Sequence, residues 1–239
     1  MFGFQKSEEL LWDLFDPLPV VEFIPAPSYD ILWQEPQFSR LYLMVKRLVD
    51  ILGALTGLIL LAPLLPVLAF LIKQEDGGPV FYKQVRVGRH GRAFSLYKLR
   101  TMIVDADAYL VRYPELSGAW QQNGKLAADP RITHIGRFLR RTSLDELPQL
   151  WNVLCGEMSL VGPRAIQFSE VAVFHELLEI RQQVKPGLTG LWQVSGRSTT
   201  SYEQRNVLDC TYVMQCSLWM DITILCKTLP AVFYHIGAY

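Results

Sequence analysis

The chain has 239 residues, half of them hydrophobic and 12% aromatic, which suits one or two domains with a sizeable core. Its 23 bases balance its 23 acids, but residues 1–40 hold seven acids against two bases, leaving 21 bases and 16 acids (+5) in the rest; a basic body of that kind suits contact with phosphate or a membrane surface. Four cysteines without a CxxC pair and four dispersed histidines exclude a zinc cluster by spacing and argue for unpaired thiols.

Residues 1–40 read as a separate, flexible acidic tail; the proline-cut apolar stretches within it do not form a secretory signal peptide. Ile51–Ile72, "ILGALTGLILLAPLLPVLAFLI", is 22 residues long without a charge. About 20 apolar residues span a bilayer core, so insertion is the leading expectation and a buried core helix the alternative. Pro63 and Pro66 fall near its middle and remove backbone hydrogen bonds there. Bases flank both ends (Arg40, Lys46 and Arg47 before; Lys73, Lys83, Arg86, Arg89 and Arg92 after), and positive charge favours the cytoplasmic side. A broken helix that dips in and returns satisfies both flanks, and a straight span does not. Asp50 is expected to pair with Lys46 or Arg47.

Pro79–Met102 predicts a β-hairpin, with Val80–Tyr82 and Ala93–Leu99 around a Gly88/Gly91 turn. Its bases Lys83, Arg86, Arg89, Arg92, Lys98 and Arg100 come with no acid, as either a solvated face or an anion-binding strand pair. Residues 103–122 read as helix broken by Pro114, and Phe168–Gln183 as a further helix. Tyr212–Ile236, interrupted by Asp221, Lys227 and Pro230, fits helices lying in a membrane interface.

Arg140–Asn152, "RRTSLDELPQLWN", concentrates the chemistry. Ser143 three residues before Glu146 has the spacing of a capping box; alternatively Pro148 opens the helix and Asp145-Glu146 lie in the loop before it. Arg140 and Arg141 favour ionised carboxylate and can hold phosphate. Pro163-Arg164 after Gly162 is another phosphate contact by type, and "KPGLTGLWQVSGR", with Gly187, Gly190, Gly196 and Arg197, reads as a loop whose backbone approaches a ligand closely. Carboxylates among arginines beside a membrane segment suggest chemistry on phosphate, with a divalent metal between the acids and the phosphate oxygens.

The motifs "KRLVDILGAL", "GPVFYKQVRVGRHGRAFSLYKLRTM", "DPRITHIGRFLRRTSLDELPQLWNVLCGEMSLVGPR", "KPGLTGLWQVSGR" and "LDCTYV" occur in order from Lys46 onward. With them the chain resembles the bacterial sugar transferase family, the monotopic phosphoglycosyl transferases. The resemblance implies an α+β, mainly helical protein. A reentrant membrane helix-break-helix over 41–74, with the break at Pro63 and Pro66, would precede a cytosolic catalytic domain over 75–239 with a small β-hairpin and interfacial amphipathic helices. It implies transfer of a sugar 1-phosphate, with a leaning to galactose or glucose, from a UDP-sugar to undecaprenyl phosphate. The location would be the cytoplasmic face of the bacterial inner membrane, in exopolysaccharide, O-antigen or capsule synthesis.

By the same resemblance Asp145 is the nucleophile, and Glu146 helps Asp145 bind Mg²⁺ (or Mn²⁺). Lys98, Arg140, Arg164 and Arg197 contact phosphates, with Pro163 beside them and with Arg100 and Arg141 as weaker assignments. A family acid matches Asp221, without an assigned role. Ala62-Pro63 replaces the frequent Ser-Pro at the break, and Ala165 replaces a second proline after Arg164. A homo-oligomer or polysaccharide-assembly partners remain open. Two rivals stand beside this reading. A membrane-anchored interaction protein of a polysaccharide assembly complex would use "SLDE" only as a cap. Nucleic-acid binding through the basic hairpin lacks any accompanying recognition motif.

Overall fold

The computed structural model describes residues 38–115, 126, 129–172, 177–195 and 201–233. Helix α1 (Arg40–Leu61), capped by the Ser39 hydroxyl accepting from the Tyr42 amide, is followed by α2 (Leu65–Asp76) at a bend of 62°. The bend falls at Ala62-Pro63-Leu64, and Pro66 sits in the first turn of α2, where a missing N–H is tolerated. Pro63 therefore makes the break, and Pro66 starts the next limb. Among the described residues no single helix is long and apolar enough to cross a membrane, whereas the bent pair taken together is.

One face of α1 packs inward. A side chain at Gly53 would meet Leu160 Cδ1 at 2.6 Å, and one at Gly57 would meet Leu150 Cδ1 at 2.6 Å, so these glycines admit the body of the protein against the helix. The opposite faces stay apolar and exposed, with Met44, Ile59, Leu60 and Phe70 all more than 60% accessible. That is far more contiguous apolar surface than a soluble helix normally leaves.

Strands β1 (Phe81–Val87) and β2 (Ala93–Leu99) form the expected antiparallel hairpin, with Tyr82 opposite Lys98 and Arg86 opposite Phe94. Helix α3 (Ala106–Arg112) follows, then α4 (His134–Thr142), α5 (Gln149–Cys155), β3 (Ser159–Val161), α6 (Leu178–Arg181), β4 (Gly187–Thr189), α7 (Leu191–Val194), α8 (Tyr202–Gln215) and α9 (Leu218–Phe233). The fold is mainly helical, with this hairpin and a second, parallel pair, β3 with β4. Short 3₁₀ turns cover Leu144–Glu146 and Phe168–Glu170. The helix expected over Phe168–Gln183 is thus, where described, a 3₁₀ turn and the short α6. The acidic segment before residue 38, the part of 103–122 beyond 115, Gly196 and Arg197 lie outside the described residues.

Among the described residues, the three larger apolar clusters hold most of these pieces, and a small one at Val87 and Ile166 joins β1 to the loop after β3. Leu68 and Ile72 of α2 meet Leu99 and Leu139. Ala54 of α1 meets Phe94, Leu96, Leu150 and Val153. Val161, Leu191, Leu208, Tyr212 and Ile224 close the third, between β3, α7, α8 and α9.

Candidate active site

Helix α4 delivers the Asp145-Glu146 pair. Thr133 caps it, accepting from the Gly136 amide at 3.0 Å, and Ser143 ends it in the left-handed region (φ 57°). Of the two alternatives for "SLDE", the capping box at Ser143/Glu146 is absent, since Ser143 makes no side-chain cap; the other is nearly met, with Pro148 at the N-cap of α5, which begins at Gln149, and Asp145-Glu146 in the turn before it. A left-handed terminator closes one helix and reverses the chain, so Asp145 turns inward within a tight 3₁₀ turn.

Asp145 is buried there (8% accessible). Burial pushes its carboxyl up to about 6; Lys98 and Arg140 pull it back, and Glu146 pushes it further up. Lys98 Nζ reaches Glu146 Oε1 at 2.6 Å. Arg140 donates through Nε to the Thr101 hydroxyl at 2.9 Å. Behind it, Arg131 clasps Asp129 with two bonds, 2.9 and 2.7 Å. Lys98, Arg140, Asp145 and Glu146, separated by almost fifty residues in sequence, thus form one charged cluster. Arg141 lies on the exposed side of α4.

The other basic residues divide by role. Arg100 is committed to structure, donating to Asp76 at 2.7 Å and to the Ile72 carbonyl at 3.2 Å at the end of α2. Arg86 is buried against the Ala165 carbonyl (3.0 Å) and Gln84 (2.6 Å); burial, with Arg164 nearby, brings it down to about 10. Arg89 holds the Gln183 carbonyl at 2.9 Å, and Lys83 lies 5.3 Å over the Tyr97 ring. The hairpin is therefore neither a uniformly solvated face nor a single anion-binding surface.

Pro163 is buried and Arg164 half-buried on the loop after β3. Asp209 accepts from the Arg164 amide at 3.3 Å, and Arg181 donates to the Arg164 carbonyl at 3.0 Å; Arg181 and Asp209 are themselves paired at 2.8 Å. This buried pair fixes the Arg164 backbone. Sequence reasoning did not single out Arg181 or Asp209, although "LDCTYV" contains the acid. At Gly187 and Gly190 the backbone of Gly162 occupies the space a side chain would need, so these glycines let two stretches of chain pack closely.

Asp50 pairs with neither Lys46 nor Arg47 but accepts from the Ser159 hydroxyl and the Leu160 amide, each at 2.9 Å. Arg47 instead caps the last carbonyls of α5, at 2.7 and 2.8 Å, where the helix dipole is negative. Lys46 pairs with Asp221 at 2.9 Å and donates to the Val161 carbonyl at 3.0 Å. Tyr212 donates to Asp221 at 2.7 Å, and Tyr42 does so at 3.1 Å. Asp221 thus ties α9 and α8 to α1.

Among the described residues no three His, Cys, Asp or Glu side chains gather as a metal cluster. Two adjacent carboxylates fit Mg²⁺ nonetheless, because that ion is usually held by one or two carboxylates together with substrate phosphates.

A buried carboxylate flanked by ammonium and guanidinium groups, in a protein that also carries a bent apolar helix pair, is an arrangement suited to an anionic substrate. The chain belongs to the bacterial sugar transferase family, whose pattern matches residues 41–235. It is 47% identical over 199 residues to the UDP-galactose-lipid carrier transferase of Erwinia amylovora (82% of this chain, 42% of that protein). It is 45% identical over 199 residues to the undecaprenyl-phosphate galactose phosphotransferase of Salmonella typhimurium (82% and 42%). With the exopolysaccharide production protein ExoY of Rhizobium meliloti it shares 42% over 200 residues (82% and 88%). The chain thus spans about two-fifths of the first two relatives and most of the third.

Proposed function

We propose that the chain transfers a sugar 1-phosphate, galactose or glucose 1-phosphate by preference, from a UDP-sugar to undecaprenyl phosphate through a phosphosugar ester on Asp145. The observation that carries the proposal is the buried Asp145 carboxylate, set among Lys98, Arg140 and Glu146. The names of the relatives supply the donor and the carrier lipid.

An Asp145 oxygen forms a bond to the β-phosphorus as the bond from that phosphorus to the bridging oxygen breaks, and UMP leaves with the electron pair. A phosphate oxygen of undecaprenyl phosphate then attacks the same phosphorus. Undecaprenyl diphosphate sugar is formed, and the Asp145 carboxylate is regenerated. Splitting one displacement into two is the usual advantage of covalent catalysis. Desolvation raises the basicity of Asp145, yet a carboxyl titrating near 6 is mostly ionised at neutral pH. Lys98 and Arg140 offset negative charge as one anion approaches another. Mg²⁺ or Mn²⁺ held by Asp145, Glu146 and the phosphates would supply further neutralisation.

The bent pair α1–α2 enters the cytoplasmic leaflet and returns, its exposed apolar faces in lipid. α9 lies in the interface with Trp219 outward, 78% accessible.

The test is UMP release from a panel of UDP-sugars with undecaprenyl phosphate and Mg²⁺. Asp145→Asn is expected to retain the fold and lose transfer by about 10³-fold or more. Unimpaired transfer by that variant removes the nucleophile assignment. Labelling of cysteines placed before Ile51 and after Ile72 is expected on the same membrane face, and labelling on opposite faces removes the reentrant seating.

A further inference from the structure

Thr101 lies just beyond β2 and is buried, 8% accessible. We propose that it is a positioning residue for the transfer: by accepting from Nε of Arg140 it holds that guanidinium off the Asp145 carboxylate, so that both terminal nitrogens stay open to the phosphate under attack. The inference rests on the transfer reaction proposed above and adds to it a residue that touches neither substrate nor the reacting atoms.

Three observations carry it. The first is how the guanidinium is held. Nε of Arg140 donates to the Thr101 hydroxyl at 2.9 Å, and among the described residues the guanidinium makes no other hydrogen bond. The tether therefore uses the one nitrogen inside the chain and leaves the fork unspent. An arginine fork matches the paired oxygens of a carboxylate or a phosphate.

The second is what the fork passes over. Asp145 and Arg140 act on each other through their charges, yet among the described residues no salt bridge joins them. In the same cluster Lys98 does close on Glu146, at 2.6 Å. A guanidinium free to swing would close on the nearest open carboxylate in the same way, because a two-bond pair is the strongest contact it can make. Asp145 locked in such a pair would have its oxygens occupied and no space for a phosphate between. Asp129, the other acid that acts on Arg140, is spent on Arg131 through both oxygens, at 2.9 and 2.7 Å. The Thr101 hydroxyl is thus the group that keeps Arg140 where it stands.

The third is the rigidity of the post. The Thr101 carbonyl accepts from the Thr133 amide at 3.1 Å, at the cap of α4, and lies against Gly136, where a Cβ would collide with it. Arg140 follows Gly136 by one helical turn and so projects from the same side of α4. The backbone of Thr101 fixes one turn of that helix, and its side chain fixes the cation on the next. Lys98 is on the strand that leads into Thr101. One short stretch, Lys98–Thr101, therefore sets both cations that face the Asp145-Glu146 pair.

The experiment uses the full chain in detergent micelles with UDP-galactose, undecaprenyl phosphate and Mg²⁺, and reads UMP release. Thr101→Val keeps the side-chain outline and removes the hydroxyl. Its kcat is expected to fall about 10²-fold, as displacement of a positioned group does, with the donor KM within about threefold. Thr101→Ser retains the acceptor and is expected to keep kcat within about threefold of the wild type. On an Arg140→Met background, Thr101→Val is expected to cost less than about twofold more, because a residue that acts through Arg140 has nothing left to position. A wild-type kcat in Thr101→Val, an equal loss in Thr101→Ser, or the same loss with and without Arg140 overturns the proposal; the last is what a purely structural role gives. Should Thr101→Val fail to fold, Thr101→Ala takes its place in the same cycle. A second readout needs no turnover. In metal-free micelles the ¹⁵N-labelled Arg140 Nε–H is expected to exchange with solvent at least about tenfold faster in Thr101→Val than in the wild type or in Thr101→Ser, and equal rates overturn the tether. Failure of the transfer reading looks different: the wild type then releases no UMP from any sugar nucleotide, and the exchange rates still decide whether Thr101 holds Arg140.

Discussion

Gly136→Ala tests the geometry of the site without touching a charged residue. In a solvated helix the change ordinarily stabilises by about 1 kcal/mol. Here the new Cβ would lie 2.7 Å from the Thr101 carbonyl carbon and 2.9 Å from its Cα, with the carbonyl oxygen closer still. All three are backbone atoms and cannot rotate away. Reaching ordinary contact, which begins at 3.4 Å, takes 0.7 Å for the carbon and more for the oxygen, so α4 must retreat from the Thr101 backbone, just after β2, by about 1 Å. The bond from Arg140 to the Thr101 hydroxyl, now 2.9 Å, then breaks, and Asp145 moves with the helix that carries it. Overpacking of this kind costs about 1–3 kcal/mol, and a 1 Å misplacement of a reacting group costs about 10²-fold in rate. UMP release at saturating substrates is therefore expected to fall about 10²-fold, and the thermal midpoint in micelles by several degrees. An alanine variant as active as the wild type and equally or more stable would refute the reasoning.

The remaining predictions concern charge. Asp145 titrates near 6 in the folded chain against 3.8 ordinarily, so its contribution to stability is present below pH 3.8 and is lost as pH rises through 6. At about 1.4 kcal/mol per unit the loss approaches 3 kcal/mol; in EDTA-containing buffer Asp145→Asn is expected to flatten that part of the stability profile and to melt above the wild type at pH 8. A lower melting point at pH 8 contradicts the burial argument. Asp221→Asn leaves the Lys46 ammonium without its carboxylate and should cost about 3 kcal/mol, read as a lower thermal midpoint, with Lys46→Met expected to restore part of the loss in the double variant. EDTA is expected to abolish transfer and Mg²⁺ to restore it without changing the far-ultraviolet circular dichroism; transfer persisting in excess chelator would remove the metal from the reaction.

Local elements were legible where the sequence pattern is itself the cause. Ala93–Leu99 was expected as a strand and is β2, because alternation and flanking glycines act within a few residues. The break at Pro63 follows from missing hydrogen bonds. Ser143 shows the limit. Ser-x-x-Glu is the same string whether serine caps the next helix or ends the previous one, and only φ separates the two. Pairings across the chain were hidden for another reason. Asp50 sits near two bases in sequence, but Ser159 and Leu160 reach it from more than a hundred residues away. Arg100 has the residue type of a phosphate ligand, and only the position of α2 reveals Asp76 as its partner. The three-residue strands β3 and β4 carry too little pattern to announce their pairing.

Those hidden pairings connect the bent apolar pair to the basic residues of the body. At one end of the bent pair, Lys46 of α1 donates to the Val161 carbonyl, immediately before Gly162-Pro163-Arg164, and to the Tyr212 hydroxyl of α8. At the other end, Arg100 ties the last turn of α2 to the strand that presents Lys98. Each limb of the bent helix therefore holds one basic arm of the site, and the helix dipole contact of Arg47 fixes α5 between them. A soluble donor can approach a site at any height, but a lipid phosphate reacts only where the headgroup layer brings it. On the reentrant seating proposed above, anchoring both arms to the bent pair would set the height of Arg164 and Lys98 together, and the proposed Asp145 ester would meet the acceptor without a large domain movement.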